Sequence, residues 1–325
     1  MLYNITKLII KGVNLVNFFS KYLDFEILLL ITGIIIFIYA FYIIKKHISF
    51  FLQSRPSRFI YYTVIFSSGF FLGIEKFKLL SGVSLFINLL SGIILINILF
   101  LSSIILNNIF DIEIDKLNKK PNPLIKIINK PKYIKIFWIC FFSSLLIAFS
   151  LNFTTFLIVL TIHLTAFIYS CPPLRIKNFF PLNIIIIAFS SVLALLLGFA
   201  ASNELKIFFS FPLKLAITML IVLSLAFNVK DINDYKGDKK YNVKTIMTIF
   251  GFEKGKKITA FFAFLGYMLL PVLLNSGILF IYNFIFGALT FLVIIKSKNK
   301  INEAVIFGIL FIYLVIFIIH KPSLF

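Results

Sequence analysis

The sequence predicts an all-α fold, a polytopic transmembrane helical bundle of nine core helices plus one extra N-terminal helix. Three observations carry that expectation. Hydrophobic residues make up 61% of the 325 residues and the mean hydropathy is +1.05, well above the roughly 45–50% apolar content of a soluble domain. The apolar residues lie in continuous runs of about 17–25, the length of a membrane helix, and not in the alternation of a transmembrane barrel. Basic residues stand between the runs, where the positive-inside rule places them.

Taken in order, residues 1–50 form an N-terminal extension. Asn4, Lys7, Lys11, Asn14 and Lys21 recur at steps of three, four or seven opposite Leu, Ile, Val and Phe. That is the pattern of an interfacial amphipathic helix, or else of a frayed terminus. No compact apolar core precedes a small-residue cleavage site, so a signal peptide is not expected. The extra helix, 25–44, crosses to Lys45-Lys46. Residues 51–325 form the nine-helix domain, with spans near 58–74, 83–106, 133–151, 153–170, 180–201, 207–229, 258–275, 277–295 and 303–320. Gly and Pro are sparse inside the spans and punctuate the loops, at Pro121, Pro123 and Pro131 and again at Pro172-Pro173.

The net charge of +20 is a topology signal and not a nucleic-acid surface. If the ends of the second, fourth, sixth and eighth core helices share one side, that side carries 24 of the 32 Lys and Arg. This is the cytoplasmic side by the positive-inside rule. The expectation is therefore a multi-pass protein of the cell (inner) membrane with its active site facing the cytoplasm. Cys140 and Cys171 fall in or beside spans and read as inert small apolar residues.

The twelve acidic residues are distributed unevenly. Six of them, Asp111, Glu113, Asp115, Asp231, Asp234 and Asp238, sit in two short polar islands that each end an apolar run. Carboxylates at a membrane helix end are expensive and need a partner or a function. Asn107, Asp111 and Asp115 are spaced i, i+4, i+8, and Asp231, Asp234 and Asp238 are spaced i, i+3, i+7, so each set shares a helix face. Like charges this close repel unless a cation intervenes. Mg²⁺ prefers one or two carboxylates together with phosphate oxygens and water, so two facing stripes suit a Mg²⁺–diphosphate complex. Glu113, two residues from Asp111, points away from the stripe. A third element, Tyr169-Ser-Cys-Pro-Pro-Leu-Arg175-Ile-Lys177, closes the fourth core helix on the same side and offers Arg and Lys to phosphate oxygens.

These residues resemble the UbiA superfamily of intramembrane prenyltransferases over about residues 51–325. Asn107-x3-Asp111-x3-Asp115 is similar to the first Asp-rich motif, with Asn108 where Asp is common. Asp231-Ile-Asn-Asp234-Tyr-Lys-Gly237-Asp238, followed by Val243-Lys244-Thr245, resembles the second. The Tyr169–Lys177 loop is similar to one in the chlorophyll-synthase-like and archaeal-lipid-type branches, and Arg55-Pro56 also matches. The chain departs from the pattern at Asn118-Lys-Lys-Pro-Asn-Pro123, which lacks an expected Arg where neighbouring Lys substitutes, and at Tyr241-Asn242. The resemblance implies transfer of an isoprenoid chain from an allylic prenyl diphosphate to a lipid or aromatic acceptor, with Mg²⁺ as cofactor. It implies that Asp111, Asp115, Asp234 and Asp238 are catalytic and hold Mg²⁺, with Asn107 and Asp231 assisting. Arg55, Asn107, Tyr169, Arg175 and Lys177 are then the substrate-binding set. The acceptor stays open among a quinone precursor, geranylgeranylglyceryl phosphate, a tetrapyrrole propionate and another lipid alcohol.

Two rivals are weaker. A membrane cation transporter would carry its acidic residues mid-span along a path, whereas these cluster at one face. A CDP-alcohol phosphatidyltransferase needs a Gly-x2-Ala-Arg stretch that neither 107–135 nor 227–245 contains.

Overall fold

The computed structural model describes residues 56–77, 82–120, 122–126, 129–202, 210–297 and 300–320, together with helical positions 31, 34, 35 and 38. The amphipathic segment of 1–23, most of the 25–44 helix and Arg55 lie outside the described residues. The remainder is helical, with no strand among the described residues. In chain order, and counting from the core, the helices are α1 (Pro56–Phe77), α2 (Val83–Phe110), the short α3 (Ile112–Leu117) and α4 (Pro123–Lys126), then α5 (Lys130–Leu151), α6 (Phe153–Ser170) and α7 (Leu182–Ser202). They continue with α8 (Leu213–Ala226), α9 (Lys230–Lys240), the short α10 (Ile246–Phe250), α11 (Phe252–Leu274), α12 (Leu279–Lys296) and α13 (Glu303–His320). Eight spans are long and apolar enough to cross a membrane, α8 and α9 counting as one, while the apolar stretch of α13 described as Glu303–Phe317 is shorter.

The nine expected spans are all present, and the differences lie at their ends. α5 starts at Lys130 because Asn129 caps it, accepting from the Lys132 backbone N–H at 3.2 Å. α11 starts at Phe252, six residues before its apolar run, because its first turns carry Glu253, Lys254, Lys256 and Lys257. Hydropathy reads that stretch as loop, but a charged helix end at a membrane face is compatible with helical backbone. The span expected at 207–229 does not stop there. It passes through one 3-10 turn (Phe227–Val229) into α9, so the second acidic island continues the same rod.

The bundle closes where α1 meets α7. A Cβ built on Gly198 would lie 1.9 Å from the Phe66 carbonyl oxygen, and one built on Gly69 would lie 1.9 Å from that of Leu195. Two backbones therefore touch directly, as small residues permit between membrane helices. Phe66, Phe70 and Phe199 fill the flanks of the seam and are fully buried. In the first turn of α9, Asn233 reads the backbone of Ile301 on both sides, donating to its carbonyl at 3.0 Å and accepting from its N–H at 2.8 Å. That fixes α9 against the entry to α13.

Between these helices lies a cavity of about 1460 Å³. Arg58 and Glu75 both line it from α1. At 1.5 Å per helical residue they stand roughly 25 Å apart, so the cavity runs along most of that helix. Its wall is mainly apolar, with Phe71, Leu99, Leu223 and Phe317 among the lining residues.

Candidate functional site

Both islands border this one cavity. Asn107, Asp111, Asp115, Asp231, Asp234, Asp238, Tyr169 and Lys177 all line it. The sequence therefore identified residues, far apart in the chain, that the fold brings to a single chamber. Arg175 is not in the lining, and it borders a smaller pocket with Glu113 and Tyr241.

The first island is not one continuous helix. α2 ends at Phe110, Asp111 leaves the helical region at φ −113°, ψ 13°, and α3 begins at Ile112. Asp111 nevertheless keeps its backbone contact to the next turn, its carbonyl accepting from the Asp115 N–H at 2.8 Å. Asp115 is buried and held by Asn122, whose amide donates to its Oδ2 at 2.8 Å and to the Asn108 carbonyl at 3.0 Å. Asn108, where the motif usually has Asp, turns the other way and donates to the Tyr133 hydroxyl at 2.9 Å. The departure from the motif thus falls on a packing position. Glu113 is exposed and outside the cavity, as its spacing predicts.

The loop after α6 folds back over the end of α2. Arg175 adopts a left-handed backbone, φ 36° and ψ 55°, and opens the 3-10 turn Ile176–Asn178. Left-handed backbone is uncommon for a side-chain-bearing residue and concentrates at functional sites. Its Nη2 donates to the Phe110 carbonyl at 3.0 Å and to Asp111 Oδ1 at 2.9 Å. A cation there also suits the negative end of α2. Lys177 is buried and pairs with the same Asp111 oxygen. Burial holds its ammonium below the usual lysine range, against the opposing pull of Asp111.

The second island lies on α9. Asp231 is 1% exposed, and Lys230 donates to its Oδ1 at 2.5 Å, while Oδ2 is buried with no hydrogen-bond partner. Asp234 pairs with Lys120 from the loop after α3. Asp231, Asp234 and Asp238 stand within one another's electrostatic reach. The Tyr169 hydroxyl lies in the field of Lys230, Asp231, Asp111 and Asp234. Arg58 lines the same mouth, grips Glu303 through hydrogen bonds of 2.9, 3.0 and 3.2 Å, and also acts on Asp234.

Sequence reasoning missed the partners. Lys120, Lys230, Arg58, Asn118 and Asn122 stand beside the islands, and no spacing rule singled them out. Lys120 lies inside the stretch where the motif's Arg is missing, which was its one signal. The chemistry of the cluster suits a divalent cation shared with an anionic ligand. Asp231 offers a buried, unpartnered oxygen. No three His, Cys, Asp or Glu side chains converge on a point among the described residues, whereas a metal that also takes phosphate oxygens needs only one or two carboxylates from each side.

Comparison with known proteins places these features in a wider group. A family model described as the UbiA prenyltransferase family matches residues 63–315. The chain is 28% identical over 183 residues to the digeranylgeranylglyceryl phosphate synthase of Saccharolobus solfataricus, a match covering 55% of this chain and 62% of that protein. It is 26% identical over 227 residues to the protein of the same name from Sulfurisphaera tokodaii, covering 67% and 78%. Among solved structures, a UbiA homolog from Archaeoglobus fulgidus bound to GPP and Mg²⁺ superposes with a TM-score of 0.66 at 19% identity, over 85% of this chain and 99% of that one. The fold is therefore shared well beyond the reach of sequence identity.

Proposed function

The chain belongs to the UbiA prenyltransferase family, and from that premise we propose that it transfers an isoprenoid chain from an allylic prenyl diphosphate to a membrane-associated acceptor, releasing diphosphate. One observation supports this reading above the others. A single chamber joins two carboxylate islands and their cations to a long apolar interior. An allylic diphosphate has the same two-part character, an anionic head on a hydrocarbon tail.

The residues divide the work by chemistry. Asp111, Asp115, Asp231, Asp234 and Asp238, with Asn107, form the set that would hold Mg²⁺. When bound, Mg²⁺ supplies positive charge to the departing diphosphate oxygens. Lys177, Lys120 and Lys230 already stand on these carboxylates and offer point charges to phosphate oxygens, while Arg175 fixes Asp111 from behind. Tyr169 hangs over the same mouth and orients the head group. The apolar wall keeps water from the allylic carbon once its C–O bond weakens. The bond's electron pair leaves with the diphosphate, an acceptor oxygen forms the new bond to that carbon, and the acceptor's proton goes to solvent.

For the acceptor, we favour a prenylated glyceryl phosphate. The support is that the curated relatives described above are named for making digeranylgeranylglyceryl phosphate. The experiment is turnover by the purified full chain in lipid nanodiscs, with geranylgeranyl diphosphate and either geranylgeranylglyceryl phosphate or an aromatic acid as acceptor. Prenylated lipid should appear with the first acceptor only, and EDTA should stop it. Undiminished diphosphate release by a metal-free sample would overturn the Mg²⁺ assignment.

The orientation we propose puts the islands at the cytoplasmic face of the cell membrane, since most of the basic residues lie in loops on their side. Single cysteines at positions 119, 178, 239 and 254, in a chain without Cys140 and Cys171, are expected to react with an impermeant thiol reagent only after the cytoplasmic face is opened. Labelling of 119 and 239 from opposite sides would contradict the topology.

A further inference from the structure

The two islands belong to different elements, the α2–α3 junction and α9, and two side chains from the end of α3 and its following loop, Lys120 and Asn118, reach across to α9. Asn118 ends α3 and is 8% exposed. Its Oδ1 accepts from the Gly237 backbone N–H at 2.7 Å, and its Nδ2 donates to the Asp234 carbonyl at 3.3 Å. The carboxamide thus reads the α9 backbone between two of the cavity-lining aspartates. Only glycine admits it. A Cβ on residue 237 would fall 2.4 Å from Asn118 Nδ2 and 2.8 Å from its Oδ1. Four residues on, Asn122 holds Asp115, and between the two Asn lies Lys120, paired with Asp234. This short stretch is therefore tied to both islands at once.

We propose that Asn118 is a positioning residue that sets the register between the two carboxylate islands, through a clip whose other half is Gly237. The proposal rests on the prenyltransferase reading, in which both islands serve one metal–diphosphate complex. Asn118 itself is not among the residues that line the cavity. It fixes how far Asp115 stands from Asp234 and Asp238, and a metal shared across the gap tolerates little error in that distance. Outer partners of this kind, when removed, cost roughly 10- to 100-fold in metal affinity or activity.

The clip has a signature that general packing does not share. Asn118→Ala removes the atoms that a Cβ at 237 would strike, so Gly237→Ala should do little further harm once Asn118 is gone. The two changes should be strongly non-additive, as contacting residues are.

The test uses the full chain in nanodiscs with two readouts. One is Mn²⁺ binding, followed by electron paramagnetic resonance, with a non-reactive thiolo analogue of geranyl diphosphate. The other is the distance distribution between spin labels at positions 116 and 240, both exposed in the native chain, in a Cys171→Ser background. Wild-type protein should give one narrow distance and tight Mn²⁺–analogue binding. Asn118→Ala and Gly237→Ala should each broaden the distance and weaken binding about 10- to 100-fold, with the double variant no worse than either. Asn118→Asp keeps the acceptor for Gly237 N–H but loses the donor, and should fall between. An unchanged distance in Asn118→Ala, or additive losses in the double variant, would overturn the proposal. Absence of any Mn²⁺–analogue binding by wild-type protein would instead sink the prenyltransferase reading, and the distance measurement would still decide whether the clip sets the register.

Discussion

Asp234→Ala is expected to lower kcat/KM by more than ~10²-fold, a loss above about 2.7 kcal/mol at 1.36 kcal/mol per decade. The expectation exceeds the roughly 10–100-fold typical of outer partners because Asp234 borders the cavity itself. It is also a clean substitution. The lysine it releases, Lys120, is 28% exposed at its side chain and can turn to water. Asp111→Ala should lose as much activity and some stability besides, because Lys177 is left buried and unpaired, which costs far more than the pair contributes. Glu113→Gln, at an exposed position outside the cavity, should change kcat/KM by less than about threefold, in the range of a surface substitution. Steady-state kinetics with the prenyl diphosphate, alongside melting curves, separates the three. Equal losses in all of them, with intact folding, would show that the cavity lining does not define the site.

The second large effect concerns the scaffold. Gly198→Ala places a methyl group where the Phe66 carbonyl oxygen lies, at 1.9 Å, so α1 and α7 must separate. Overpacking of this kind costs about 1–3 kcal/mol, and here the obstacle is backbone, which cannot rotate away. Against a total stability of roughly 5–15 kcal/mol, Gly198→Ala should melt clearly below wild type and Gly198→Leu should fail to accumulate. Gly82→Ala, where nothing lies within 4 Å of the added carbon, is the control. A Gly198→Ala protein that melts with wild type would mean the helices do not approach as closely as described.

Sequence reading succeeded where a single segment carries the signal. Each membrane helix follows from one uninterrupted apolar run, and each island from carboxylates at helical spacing in a chain that has few. What it could not give depends on two segments meeting. The pairing of Lys120 with Asp234 and of Arg58 with Glu303, and the docking of Asn118 on Gly237, join residues more than a hundred positions apart, and a single sequence read by itself carries no pattern for such distances. The helix break at Asp111 was hidden for another reason. Asn107, Asp111 and Asp115 have helical spacing, and the interruption keeps that spacing almost intact. α11 shows a third kind of miss, since hydropathy marks where a helix enters the apolar layer and not where its backbone begins.

The ion pair on Asp111 also has a history in time. Its partner Arg175 is 64 residues downstream and Lys177 is 66. At roughly 5–20 residues per second of synthesis, the carboxylate exists for several seconds before either cation has been made. A newborn chain must keep Asp111 in water through that interval, while the next two membrane helices are still being delivered. The order of assembly is thereby constrained: the end of α2 can be sealed only after α6 has crossed and its loop has emerged, so the first half of the chamber is finished from its fourth core helix backwards.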